Sequence, residues 1–411
     1  MKPLIIISFI LYTAFDFFRD YLAISYRDRP LPENVRDVYN EEEYRRWLTY
    51  EKDSDIPDLI ESLLSFAYML VMLTGNVYAK IYYAFDVNMY LRYFLCVLIT
   101  KIFSDIISLP FDYYDTFVVE EKYGMNKTTK KTFFLDWLKS SIISLVLTYG
   151  LLIVIILLYE RFGNTGIIWI TVAIVAISLL IALLTMPLFK IFNKFRPLED
   201  GELKDKLLEL CSRYGITVKK IVVKDASRRT TKANAFCTGL GRKKTISLDD
   251  NLVNEYSTEQ IVAVFAHEFA HARFKHVTKS LPFSIARTVL SVITLGIAFN
   301  IPSVYTAFGF TEMNYFFAMM VPGLLLWPLE ILLDLVSNGI SRKHEYEADG
   351  FAAKEGYGEE LISALKKLCK ESLSDINPHP LIVKLGYSHP TLSQRIAAIR
   401  NLEKQKETAH E

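Results

Sequence analysis

The stretch VFAHEFAHARFKH, residues 264–276, holds His267, Glu268, His271 and His276, and no histidine precedes it in the chain. His267 and His271 are four apart, so on a helix they lie on one face, one turn from each other. Two imidazoles at that spacing can share a zinc ion. Glu268 sits beside them, placed to take a proton from water at the metal, which is the HExxH arrangement. The preceding residues, IVAVFA, make the helix apolar and buried. Two imidazoles and a carboxylate in such a helix need a polar partner. The competing reading is an ordinary helix face. His276 lies nine residues after His267, roughly 180° around a continuous helix. Proteases that recruit a downstream histidine first break the helix with glycine, and ARFKH has none. His276 is therefore expected to be a non-ligand beside Arg273 and Lys275.

A third protein ligand is needed, with a fourth position open to water. The acidic run HEYEAD, residues 344–349, can supply it. Glu345 and Asp349 are four apart and share a helix face, so one can bind the metal while the other holds a ligating histidine from outside. By spacing alone Glu347 or His344 competes, and a solvated acidic helix end is the bland alternative.

These side chains must be positioned by a soluble segment inside an otherwise hydrophobic chain. EDGELKDKLLELCSRYG reads as an amphipathic helix with Leu203, Leu207, Leu208 and Cys211 on one side and glycine at its end. ITVKKIVV reads as a strand by its β-branched residues. NAFCTGLGRKKTISL reads as a hairpin around a Gly and basic turn. Ser257 with Gln260 three residues later is a capping-box signature that starts the histidine helix. SNGISRKHEYEADGFAAKEG and the tail YSHPTLSQRIAAIRNLEKQ read as further helices.

Of the 411 residues, 51% are hydrophobic and the net charge is +1. That balance gives no nucleic-acid footprint. The four cysteines form no CxxC pair, so neither a disulfide framework nor a zinc ribbon is expected, and a reducing compartment fits. Residues 140–159, 162–189 and 288–311 carry no charged side chain, long enough to cross a bilayer as helices. Residues 313–329 are a shorter run. Three weaker candidates, about 3–24, 58–85 and 88–112, are interrupted by charges such as Asp16, Arg19, Glu61, Lys101 and Asp105. Ionisable groups within spans point at cavities or partners rather than lipid. The expectation is seven spans.

Lys and Arg cluster after span one (Arg27, Arg29, Arg36, Arg45, Arg46, Lys52) and after span three (Lys122, Lys127, Lys130, Lys131). By the positive-inside rule the N-terminus is outside, and the loop from about 190 to 280 and the C-terminus are cytosolic. The expected fold is a mainly α polytopic membrane protein with a small α+β zinc-protease domain on the cytosolic side. The expected divisions are 1–190 with five spans, a soluble 191–280, spans six and seven in 281–340, and a helical 341–411 that completes the metal site.

With these motifs in place, the sequence resembles the integral-membrane CAAX prenyl endopeptidases, a family of zinc metalloproteases with a glutamate third ligand, over nearly the whole chain. HEFAH looks like the family's zinc motif, with His267 and His271 as ligands and Glu268 as base. EYEAD looks like its ExxxD element, which implies Glu345 as the ligand and Asp349 as the group behind a histidine. SHPTLSQRI is similar to its C-terminal element and implies His389 as a stabiliser of the oxyanion, with Arg395 as its neighbouring support. NAFCTG resembles the edge strand in which Asn234 holds substrate backbone. EEKYGMNKTT, residues 120–129, looks like an N-terminal signature. The resemblance implies seven long helices forming a barrel around a water-filled chamber, one bound zinc ion, and a peptide or protein substrate, prenylated or not, met at the lipid bilayer. The short chain, and a tail KQKETAHE without a dilysine signal, suggest a prokaryotic plasma membrane, where prenylated substrates are not expected.

Two other functions compete. A membrane quality-control zinc protease of the stress-response type would share HExxH and ExxxD, but the 190-residue N-terminal block and EKYGMNK region argue against it. A non-enzymatic transporter or scaffold has no use for a base adjacent to two ligands.

Overall fold

A computed structural model describes residues 1–215, 217–238 and 243–410. Helices dominate, with one small mixed sheet of four strands. Among the described residues four helical stretches are long and apolar enough to cross a membrane, Glu41–Thr74, Met89–Glu120, Lys130–Leu183 and His276–Phe299, and a bent pair, Tyr315–Leu325 with Trp327–Lys354, raises the number to five. Lys130–Leu183 is far longer than the roughly 20 residues that one crossing needs. Gly163, at φ 55, interrupts it, and the helices on either side pack against each other. A Cβ on Gly166 would lie 2.7 Å from the Leu158 carbonyl oxygen, so that close approach depends on glycine. The first predicted span is also helical, Lys2–Tyr26, and its charges keep it outside the apolar class.

Charges within these helices find protein partners. Lys101 meets Asp105 at 3.0 Å, and Ser141 Oγ donates to Asp105 at 2.7 Å. Arg287 pairs with Glu330 and, at 2.8 Å, with Asp334. This explains a displaced boundary. Span six was expected over 288–311, where no charge occurs; the helix runs instead over His276–Phe299. Its Lys279 and Arg287 hid the true start, and the chain beyond Phe299 turns into a short helix, Pro302–Thr306. Span seven bends by 59° between Leu325 and Trp327, where Pro328 follows.

The sheet order is β1-β2-β4-β3. β2 (Thr217–Lys224) runs parallel to β4 (Lys243–Asp249), and β3 (Ala235–Thr238) is antiparallel to β4, with Ala235 opposite Leu248. The expected strand and hairpin flanks are thus present, while the turn at 239–242 lies outside the described residues. β1 (Phe195–Pro197) is an addition that its proline concealed. The amphipathic helix forms over Glu202–Arg213 and buries Leu207, Leu210 and Cys211, whereas Leu208, expected inside, is 41% exposed.

Apolar side chains gather into two cores. One fills the membrane helices. The other unites the sheet, the histidine helix and the C-terminal helices, and it takes in Val35, Trp47, Val119, Tyr123 and Met125 from the N-terminal half. The soluble core therefore draws on loops between the early spans. Residues 120–129 show why: the Lys127 N–H donates to the Arg229 carbonyl at 2.9 Å, the Thr231 N–H to the Met125 carbonyl at 3.1 Å, and Lys232 pairs with Glu120 at 2.8 Å. That loop grips the segment leading into β3.

Candidate active site

The helix Thr258–Arg273 starts where its sequence indicates. Ser257 Oγ accepts the Gln260 N–H at 3.2 Å, and Gln260 Oε1 accepts the Ser257 N–H at 3.1 Å. Ala266 and Ala270 on this helix, and Ala348 and Ala352 on Trp327–Lys354, are all fully buried. Small side chains let the two helices pack closely, which sets the histidine motif against the acidic motif.

His267 Nε2, His271 Nε2 and the Glu345 carboxylate converge. The two nitrogens are 3.1 Å apart, and each lies 3.3 Å from a Glu345 oxygen. These atoms form the one group among the described residues that could hold a metal ion. Tetrahedral zinc with ligands at about 2.0–2.1 Å requires ligand atoms about 3.3 Å apart, and each imidazole nitrogen lies at that distance from one of the two Glu345 oxygens. Glu345 Oε2 is buried and has no hydrogen-bond partner, since its contact with His267 is an ion-pair distance without hydrogen-bond direction. A buried, unsatisfied carboxylate oxygen facing an imidazole nitrogen is the signature expected of a cation site. The electrostatics agree. Burial opposes a charge on His267, but Asp349 and Glu345 outweigh it and push the imidazole up to about 9. The same two carboxylates lower the cost of placing a cation beside the rings, and a metal there would take the place of the proton.

Asp349, wholly buried, accepts from His267 Nδ1 at 2.9 Å. Burial alone would raise its pKa, but Arg395 and His267 hold it down to about 2. Arg395 donates from Nε to Asp349 Oδ2 at 2.9 Å and from Nη2 to Asp349 Oδ1 at 2.7 Å. The resemblance implied support of His389 by Arg395. Its hydrogen bonds run to Asp349, with Nη2 passing 3.3 Å from His267 Nδ1, because the helix Leu392–His410 starts just after Thr391, where Thr391 and Gln394 cap each other, and turns the guanidinium inward.

The opposite side is open. A cleft of about 160 Å³ is lined by Asn234, His267, Glu268, Glu345, His389 and Arg395, with leucines behind them. His389 has a 62% exposed side chain, and its Nε2 lies 3.5 Å from Glu345 Oε1. Its loop is tied to the acidic helix, where Arg342 donates to the Val383 and Tyr387 carbonyls at 3.0 and 2.6 Å. Asn234 stands at the entrance to β3, the edge strand. All eight residues singled out from sequence are therefore brought to one place.

His276 is not where a continuous helix would put it. The helix ends at Arg273, Lys275 adopts φ 56, and a new helix begins at His276. The ring folds back so that its Nδ1 lies 3.0 Å from His271 Nδ1. It still lies outside the converging donor group. His344 stacks on His276 with centroids 4.0 Å apart, and Glu347 reaches His276 Nε2 at 3.1 Å, so neither competitor of Glu345 joins that group. Sequence reasoning missed this cluster because nothing but a glycine was credited with breaking the helix.

Comparison with known proteins extends these observations to the whole chain. Residues 20–194 match the model described as CAAX prenyl protease N-terminal, five membrane helices, and residues 197–403 match peptidase family M48. The chain is 31% identical to CAAX prenyl protease 1 of Saccharomyces cerevisiae, over 95% of this chain and 92% of that protein. It is 34% identical to the CAAX prenyl protease 1 homolog of Arabidopsis thaliana, over 73% of this chain and 72% of that protein. The crystal structure of S. mikatae Ste24p superposes with a TM-score of 0.91 at 29% identity, covering 97% of this chain and 98% of that one. These relatives are eukaryotic, and they give no support to the expected prokaryotic plasma membrane.

Proposed function

The chain belongs to peptidase family M48, as a membrane metallopeptidase of the CAAX protease type, and from that premise we propose a zinc endopeptidase that removes the C-terminal tripeptide after a prenylated cysteine. The single observation that carries the metal assignment is the donor set, two imidazole nitrogens 3.1 Å apart, each 3.3 Å from one of the two Glu345 oxygens, with Glu268 lining the same cleft. His267, His271 and Glu345 would hold one zinc ion. When bound, zinc polarises the scissile carbonyl and lowers the pKa of water. Glu268 takes the proton of the attacking water and returns it to the leaving amine. His389, exposed at the rim, donates to the developing oxyanion. Asp349 fixes the tautomer of His267, and Arg395 keeps Asp349 ionised. The peptide lies along β3 by strand addition, with Asn234 holding its backbone.

The remaining architecture follows the same reading. Seven spans enclose a water-filled chamber, the soluble core and both acidic and histidine helices face the cytosol, and the divisions fall near 190, 280 and 340. Support comes from the four apolar helical stretches and the bent pair, the helix Lys2–Tyr26, the break at Gly163 within Lys130–Leu183, the paired charges inside these helices and the lysine and arginine bias of the loops. The histidine helix is followed directly by His276–Phe299, one of the membrane-crossing helices, so the cleft lies near the membrane surface. A substrate whose lipid stays in the bilayer can reach it, and each buried methylene stabilises binding by about 0.8 kcal/mol.

The test compares one CAAX peptide with and without a farnesyl group at equal detergent. The expected result is cleavage after the cysteine in both, with a lower apparent KM for the farnesylated form. Cleavage of neither, with degradation of an unrelated membrane protein, would replace this reading by the quality-control protease.

A further inference from the structure

We propose that His276 and Glu347 are positioning residues for the metal site, holding His271 as Asp349 holds His267; this rests on the zinc reading above. A metal-ligating imidazole is commonly fixed by a hydrogen bond at its other nitrogen. His267 has that bond, to Asp349. His271 has no carboxylate at its second nitrogen; its Nδ1 meets His276 Nδ1 at 3.0 Å.

Two ring nitrogens at that distance must be one donor and one acceptor. His271 Nε2 points at Glu345 and His267, so as a ligand it offers a lone pair there and carries its proton on Nδ1. His276 Nδ1 is then the acceptor. Its proton sits on Nε2, which faces Glu347 Oε2 at 3.1 Å. The chain Glu347–His276–His271 thus assigns every tautomer in one direction. Lys279 Nζ, 3.9 Å from Glu347, steadies the carboxylate.

The ring of His276 is held for this purpose. It is 3% exposed, and it stacks on His344 with an interplanar angle of 5°. The left-handed Lys275, a non-glycine residue in a conformation L-residues avoid, turns the chain so that His276 faces back toward His271. A histidine serving only as filler would need neither the strained turn nor two nitrogens each set against a partner. As a third histidine ligand it would have to leave both.

The experiment measures zinc affinity in the full-length, detergent-purified protein by competition with a chromophoric chelator. His276→Phe keeps the ring and the stack on His344 but removes the acceptor. His276→Asn loses the ring but places an amide oxygen near the position of Nδ1. Positioning predicts one zinc per chain in all three proteins, an affinity 10- to 100-fold weaker in His276→Phe, and recovery of most of that loss in His276→Asn. Glu347→Ala should weaken affinity in the same direction, because His276 is then free to turn its proton toward His271. A packing role predicts the reverse order, with Phe tolerated and Asn damaging, and that result overturns the proposal. So does wild-type affinity in His276→Phe. Loss of zinc even at saturation would make His276 a ligand and also end the proposal. If the wild-type protein itself binds no zinc, the failure belongs to the metal assignment.

Discussion

The two walls of the cleft are built on opposite principles. On the wall that we propose binds the metal, hereafter the metal-binding wall, Asp349, Glu345 and His267 are 0%, 4% and 7% exposed. Asp349 there is matched by Arg395 and His267, while Glu345 lies 3.3 Å from each of two imidazoles with its Oε2 left without a hydrogen-bond partner. On the facing rim, His389 is mostly exposed and Asn234 stands at a sheet edge. The contrast follows from what each wall must do. Metal ligands need fixed geometry, and a low-dielectric network of paired charges supplies it. A peptide must enter and leave past the rim, so the groups that meet it stay solvated until it arrives.

Glu268 belongs to neither wall, being half-buried between them, and its substitution has the largest expected effect. Glu268→Gln removes the base and no ligand. Turnover should fall by a factor on the order of 10²–10⁴ while zinc content stays at the wild-type level. Steady-state kinetics beside metal analysis check both halves. Near-normal turnover would remove Glu268 from the mechanism, and lost zinc would place it on the metal-binding wall. His389→Ala should follow, with kcat lower by about 10²–10³ and no change in bound metal, as a rim residue requires.

The histidine pair of this wall was readable from spacing, since HExxH places its side chains by helix periodicity; for the third ligand spacing left Glu347 and His344 open, and the resemblance to ExxxD chose Glu345 over Asp349. His267, His271, Glu345 and Asp349 all appear where one-turn spacing puts them. The rim was not readable in that way. His389 and Asn234 lie on a loop and at a strand entrance, positioned by tertiary contacts such as Arg342 to Tyr387 and the grip of residues 120–129 on 229–231. Only the likeness of short motifs pointed to them. The course of Arg395 and the back-folding of His276 were hidden for the same reason, because each depends on where a helix starts or stops. In the membrane region, absence of charge located helices but misplaced span six, because a charge paired across two helices leaves no trace in a single-helix pattern.

Asp349→Asn tests the metal-binding wall through its buried charges. The amide can still accept from His267, but Arg395 loses its counter-ion while remaining inside. Leaving one partner of a buried pair unmatched costs about 3–5 kcal/mol, and loss of the carboxylate charge behind His267 should weaken zinc affinity roughly 10- to 100-fold. Chemical unfolding and chelator competition measure the two effects. If Asp349→Asn with Arg395→Met regains stability but not zinc affinity, the ion pair serves folding and the Asp349 charge behind His267 serves the metal. Recovery of both would mean that the wall acts only by being well packed.

The smallest effect should come from Asn234. Its backbone carbonyl accepts the Asp249 N–H at 2.9 Å, which anchors the entrance of β3 whatever the side chain is. Its Oδ1 accepts the neighbouring Ala235 N–H at 2.8 Å. The side-chain amide nitrogen is then the group left to donate to a peptide carbonyl. Asn234→Ala should therefore fold and bind zinc normally, and should lose one substrate hydrogen bond of about 0.5–1.5 kcal/mol. If that bond is equally strong in the bound substrate and the transition state, the loss falls on KM, about two- to tenfold, with kcat unchanged. Such a result is what an open rim predicts, where binding is shared by several weak contacts along an edge strand. A fall in kcat at constant KM would mean instead that Asn234 tightens its hold as the oxyanion develops. The rim would then be as finely built for the reaction as the metal-binding wall, and exposure would be a poor guide to which side of this cleft does the chemistry.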